Sequence, residues 1–162
     1  MSELKDLMVA APKLSLAVAE SLTSGHLQAR IGAESGASGF FRGGVTAYTI
    51  EQKVALLGIE REGAAAVDCV SDDVARQMAR GACKLFGTDV GAATTGYAEP
   101  APDRGVAMPH ACWALARRDG VGGWIYRSGR IVGVGLGRTP FQVVVAQTVY
   151  AELPSFIRAV RG

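Results

Sequence analysis

Residues Leu14 to Arg30 read LSLAVAESLTSGHLQAR. The apolar run Leu14-Ser15-Leu16-Ala17-Val18-Ala19 has the length and composition of a buried strand, and it stops at Glu20. Three hydroxyls follow (Ser21, Thr23 and Ser24), then Gly25, then a segment with the spacing of an amphipathic helix, expected from about Thr23 to Ile31. A strand end that feeds a helix start is where α/β proteins place chemistry, because free backbone N–H groups and the positive end of the helix dipole converge there. One reading of the hydroxyls is a nucleophile or an anion-holding group. The other is that Thr23 or Ser24 simply caps the helix.

Working outward, residues 2–11 read as a short helix ended by Pro12, and Gly32 to Gly39 as a loop of small residues. Phe40 to Thr49 carries a second strand, centred on Val45-Thr46-Ala47-Tyr48. Glu51 then opens a short helix closed by Gly58, which would bring Lys53 near the strand end that bears Tyr48; the alternative for Lys53 is a solvated surface lysine. Ser71 to Phe86 has the clearest helical pattern: Ser71 as cap, Asp72 and Asp73 at the positive end, Gly87 as stop, and a core stripe of Val74, Met78, Ala82 and Leu85. Thr88 to Tyr97 reads as a small-residue strand that runs into a second polar turn. Val106 to Arg117 and Trp124 to Val134 read as strands joined by RDGVGG, with His110 a structural histidine in the first. Arg138-Thr139-Pro140 looks like the start of a helix reaching about Val160. This order of elements implies a three-layer α/β/α sandwich around a mixed sheet. No Gly-x-Gly-x-x-Gly follows the first strand and no Walker A lysine motif is present, which disfavours dinucleotide and nucleoside-triphosphate folds.

At 162 residues the chain fits one domain, 1–162; with 49% hydrophobic and 20% charged residues it should build a core. A net charge of +2, with both signs interspersed, gives no electrostatic argument for nucleic acid or membrane partners. The apolar runs are strand-length and the N-terminus lacks a signal-type hydrophobic stretch, so a cytoplasmic location is expected. Cys69, Cys83 and Cys112 are odd in number and widely spaced, as expected of reduced, mostly buried thiols. With only His26 and His110, and no Cys-x-x-Cys, no metal site is expected.

The polar rim residues are Ser21, Thr23, Ser24, Tyr48, Lys53, Thr94, Thr95, Gly96 and Arg138, drawn from four separate junctions. A serine, a tyrosine and a lysine suffice for an amidase without histidine: the desolvated lysine is a neutral base, the tyrosine relays or orients a proton, and the serine attacks. Backbone N–H groups at the start of the first post-strand helix could hold an oxyanion or a phosphate, and Arg138 carries a charge suited to phosphate. Otherwise Arg138 is an exposed arginine beside a helix start. A third arrangement pairs Ser21 or Ser24 with His26, without the Gly-x-Ser-x-Gly elbow or an evident acid partner.

The runs AVAESLTSGHL and SGASGFFRGGVTAYTIEQKVALLGI resemble the C-terminal domain of the CinA family, whose stand-alone members include nicotinamide-nucleotide amidohydrolases. The family's AESCTGG stands here as Ala19 to Gly25, its AYSNEAK as Ala47 to Lys53, and its TGIAGP as Thr95 to Pro100; of its late GDR only Arg138 is matched. The resemblance implies Ser21 as nucleophile, Lys53 as base and Tyr48 as proton-relaying partner. It assigns nucleotide contacts to Thr23, Ser24, Gly25, Thr95, Gly96 and Arg138. It further implies deamidation of nicotinamide mononucleotide or a related nucleotide amide, with no cofactor and with homo-oligomeric assembly. This chain departs from the pattern at Leu22, Ser24, Ile50, Glu99, Ala111-Cys112-Trp113 and Gln142. Glu99 puts negative charge where a phosphate would lie. An alternative implied by these departures is a catalytically inactive relative that binds a small anionic ligand.

Overall fold

A computed structural model describes residues 3–161. Strand β1 (Leu16–Glu20) is buried at every position and sits inside a five-stranded sheet of order β2-β1-β3-β4-β5, where β2 is Phe41–Thr46, β3 Val90–Tyr97, β4 His110–Arg118 and β5 Trp124–Val132. β1 runs parallel to β2 and β3, whereas β4 and β5 are added antiparallel, as the two adjacent late strands in the sequence require. Helices α1 (Glu3–Val9), α2 (His26–Gly32) and α6 (Arg138–Arg161) cover one face around Leu16, Val18, Leu115 and Phe141. Helices α3 (Ile50–Leu57), α4 (Arg61–Ala66) and α5 (Asp72–Phe86) cover the other, around Ala17, Ala19, Met78 and Ala114. The architecture is the expected three-layer α/β/α sandwich on a mixed sheet. Residue 2, the start of the expected first helix, lies outside the described residues.

Several boundaries move, each for a local reason. β2 ends at Thr46, short of the expected Tyr48, because its partner β1 ends at Glu20; the last bond between them is Ala47 N–H to Glu20 O at 2.9 Å. α2 starts at His26 rather than Thr23, since Ser24 N–H closes a tight turn on Ser21 O (3.1 Å) and Thr23 turns inward. β4 starts at His110, opposite Tyr97 where β3 ends; Val106 instead forms an isolated bridge with Ala101. The core stripe of α5 follows Val74, Met78 and Ala82 to Phe86, which leaves Leu85 46% exposed and outside the core.

α4 was not expected from the sequence. Its REGAAA segment has no apolar period, and it is nucleated by Glu60, whose carboxylate accepts from Glu62 N–H (2.7 Å) and Gly63 N–H (2.6 Å). α6 is 24 residues and by length and composition apolar enough to cross a bilayer, beyond the strand-length runs read from the sequence; its Phe141, Val145, Val149, Leu153 and Ile157 pack into the core. Cys69, Cys83 and Cys112 are free and buried.

Candidate active site

The carboxyl ends of the parallel strands β1, β2 and β3 open toward one edge of the sheet, the position at which open α/β sheets bind ligands. At the end of β1, Glu20 is fully buried and its carboxylate accepts three backbone bonds, from Gly25 N–H (3.0 Å), Leu27 N–H (3.1 Å) and Gln28 N–H (2.8 Å). The carboxylate therefore satisfies the amino end of α2 and faces the positive end of its dipole. This overturns the expectation that the α2 amides hold an oxyanion or phosphate, because the protein's own carboxylate already takes them. The sequence reading used Glu20 only as the end of a strand.

This cap fixes the turn that carries Ser21. Thr23 is fully buried and its hydroxyl pairs with Thr94 at 2.7 Å, tying the turn to β3. Ser24 is exposed, adopts a left-handed φ of 45°, and donates through Oγ to Ser21 O at 3.3 Å. Gly25, at φ 101°, makes the bend into α2. From the far side Gln142 of α6 donates through Nε2 to Leu22 O at 2.6 Å. Among the described residues, the hydroxyls of Ser21 and Ser24 have partners other than the His26 imidazole.

Lys53 meets Ser21 from α3. Thr49 caps that helix by accepting from Gln52 N–H at 3.4 Å, which places Lys53 one turn in and pointing back over the sheet edge. Its Nζ lies 2.9 Å from Ser21 Oγ and 3.0 Å from the backbone oxygen of Tyr48, and the side chain is only 2% exposed. Lys53 is therefore not the solvated surface lysine of the alternative reading. Burial pushes its amine below the ordinary 10.5, while Cys69 and Asp68 oppose the shift. Nζ donates to both oxygens; loss of one proton would leave a lone pair facing the Ser21 hydroxyl while an N–H stays on Tyr48 O.

Ser21 and Lys53 open into a pocket of about 730 Å³. One wall is the end of β3. Thr95 donates to Cys69 O at 2.6 Å, and a Cβ on Gly96 would strike the His110 carbonyl, so a glycine lets β3 and β4 close here. The other wall is the turn at Asp68 and Cys69, both in the left-handed region (φ 49° and 61°). Asp68 accepts from the Tyr97 hydroxyl and from Arg104, each at 2.5 Å, and the Tyr97 bond, with Arg104 beside it, holds its carboxyl below the usual range. None of these three residues was singled out from the sequence, because their proximity depends on a non-helical loop meeting a strand end from 29 residues away.

At the mouth, Tyr48 is 51% exposed and its hydroxyl accepts from Arg138 at 2.8 Å; Arg138 is also ion-paired with Glu99. Of the catalytic residues read from the sequence, Ser21 and Lys53 are in direct contact. Tyr48 meets Lys53 through its backbone carbonyl while its phenol is turned to Arg138. Of the binding residues, Thr95, Gly96 and Arg138 line the pocket, whereas Thr23, Ser24 and Gly25 build the turn behind it. Among the described residues no group of three or more His, Cys, Asp or Glu side chains is placed to hold a metal.

A family model described as the CinA C-terminal domain matches residues 2–125. The chain is 37% identical over 123 residues to a CinA-like protein of Chlorobium limicola, covering 75% of this chain and 29% of that protein. It thus spans less than a third of the length of the curated relatives it matches. Among solved structures, the competence damage-inducible protein A (ComA) of Klebsiella pneumoniae superposes with a TM-score of 0.83 at 25% identity, over 94% of this chain and 91% of that one. A CinA superfamily protein of Enterobacter cloacae gives 0.79 at 28%, over 98% and 88%. The matched segment includes the Ser21 turn, the Lys53 helix and the end of β3 that frame the pocket, and the chain belongs to the CinA C-terminal domain family.

Proposed function

We propose that this protein is an amidohydrolase that deamidates nicotinamide mononucleotide or a related amide with a serine–lysine site. The observation that carries the reading is the 2.9 Å contact between Lys53 Nζ and Ser21 Oγ, made by a buried amine whose pKa burial lowers. In this mechanism Lys53 takes the Ser21 proton as Oγ attacks the amide carbon, then gives it to the departing nitrogen, releasing ammonia. The resulting ester is cleaved by water, with Lys53 again accepting the proton and returning it to Ser21. The amide of Leu22, which follows the nucleophile and lines the pocket, is the donor assigned to the oxyanion. Tyr48 orients Lys53 through its carbonyl and holds Arg138 through its phenol.

The alternative, a domain that binds a small anion without turnover, gives no role to the Ser21–Lys53 contact and meets a pocket whose two guanidiniums are already paired. The test is ammonia release from nicotinamide mononucleotide and from its dephosphorylated nucleoside. Ser21→Ala and Lys53→Ala should each lower turnover by roughly a thousandfold or more. Release from neither compound by the unmodified protein, or full activity in either variant, rejects the reading.

A further inference from the structure

The charges around the pocket do not balance in favour of an anion. Two guanidiniums line it, Arg104 and Arg138, against three carboxylates, Asp68, Glu99 and Asp103. Arg104 is committed to Asp68 at 2.5 Å and has Asp103 at 4.0 Å. Arg138 gives one terminal nitrogen to Glu99 and the other to the Tyr48 hydroxyl. The remaining cationic group, Lys53, lies at the buried end, where its burial disfavours the charge. A phosphate monoester that reached Arg138 would come within contact distance of the Glu99 carboxylate. A neutral or cationic ligand would meet no such repulsion.

We propose that the substrate of this site is a carboxamide that bears no phosphate, neutral or cationic, and that Glu99 is the specificity-determining residue that sets this choice. The inference rests on the amidohydrolase reading and narrows it to the non-phosphorylated branch. Glu99 belongs to the loop after β3 and Arg138 to the first turn of α6, so their pair spans the mouth where the distal end of a substrate would sit while its amide reaches Ser21. Replacing the carboxylate by an amide keeps the shape of the loop and releases the Arg138 charge for an incoming phosphate.

The test is calorimetric titration of the full chain carrying Ser21→Ala, which binds without turnover, with nicotinamide mononucleotide and with its dephosphorylated nucleoside at equal ionic strength. The nucleoside should bind roughly tenfold more tightly, the effect of one unit charge about 5 Å away in a partly wet site. Adding Glu99→Gln should raise mononucleotide affinity by about tenfold and leave the nucleoside within about twofold, and added salt should shrink the discrimination. Tighter binding of the mononucleotide, no change on Glu99→Gln, or no binding of either compound overturns the proposal. Ammonia release is measured in parallel on the protein with Ser21 intact. The expected binding order without turnover would defeat the amidohydrolase reading alone, whereas turnover with the mononucleotide preferred would defeat this inference alone.

Discussion

The pocket has two rims built on different physical terms. At the inner rim and the turn behind it, Glu20, Ser21, Thr23, Lys53 and Thr95 are all less than a tenth exposed, and each polar group is bonded to backbone or to another buried side chain. At the outer rim, Tyr48, Glu99, Asp103, Arg104 and Arg138 are exposed and joined by surface ion pairs and one phenol contact. The inner rim is fixed by the fold, because moving any member orphans a buried donor or acceptor. The outer rim can change with little effect on stability, because solvent replaces what a substitution removes. A substitution is thus costly at one rim and cheap at the other.

The largest expected effect tests the inner rim directly. Glu20→Ala strips three helix-end amides of their acceptor, one buried and two part-buried, so it should destabilise the fold by about 3 kcal/mol. Chemical denaturation checks this, and a loss below about 1 kcal/mol would break the distinction between the rims. Glu99→Gln at the outer rim should stay within about 0.5 kcal/mol in the same assay.

Lys53 carries a second consequence. In the folded protein its amine is depressed below the ordinary value, so between that lowered pKa and about 10.5 the unfolded chain binds more protons than the native state. Through that window the Lys53 contribution makes stability rise with pH; below it, the burden of a buried ammonium is present in full. Lys53→Met should therefore abolish turnover while raising stability at neutral pH by about 1 kcal/mol and removing that rise. The rate constant for amide hydrolysis should climb with pH through the same lowered pKa, because only the free amine can accept the Ser21 proton. A rate that begins to rise only at the ordinary lysine value of 10.5 would contradict this assignment.

The smallest effect concerns Ser24, held at φ 45° where a glycine is unstrained. Ser24→Gly should stabilise by about 0.5 kcal/mol, net of the added freedom of the unfolded chain, and thermal unfolding would show it.

The same division governs what could be read from the sequence. β1 and α5 were legible because burial leaves a periodic trace: an unbroken apolar run in one, a 3.6-residue stripe in the other. Strand-to-helix junctions put Ser21 and Lys53 near one rim, but the resemblance to the family motifs, not spacing, was what implied their roles. The capping role of Glu20 left no trace because a carboxylate ending a hydrophobic run looks the same whether it faces water or caps the next helix. α4 left no periodic signal, and its only local mark is Glu60, whose carboxylate caps the amides of Glu62 and Gly63. The Asp68–Tyr97–Arg104 wall and the Glu99–Arg138 pair join residues 29 to 39 positions apart through loops, and no local spacing rule reports such meetings.

The most direct measurement is the titration of the Lys53 amine in the intact protein, by NMR of lysine isotopically labelled at the ε position. The chain has four lysines, so assignment by Lys53→Arg is simple. A midpoint clearly below 10.5, moved by Ser21→Ala, is the result expected of a buried amine bonded to its serine. A midpoint at or above 10.5, indifferent to Ser21, would mean an ammonium in solvent contact and would remove the base from the mechanism.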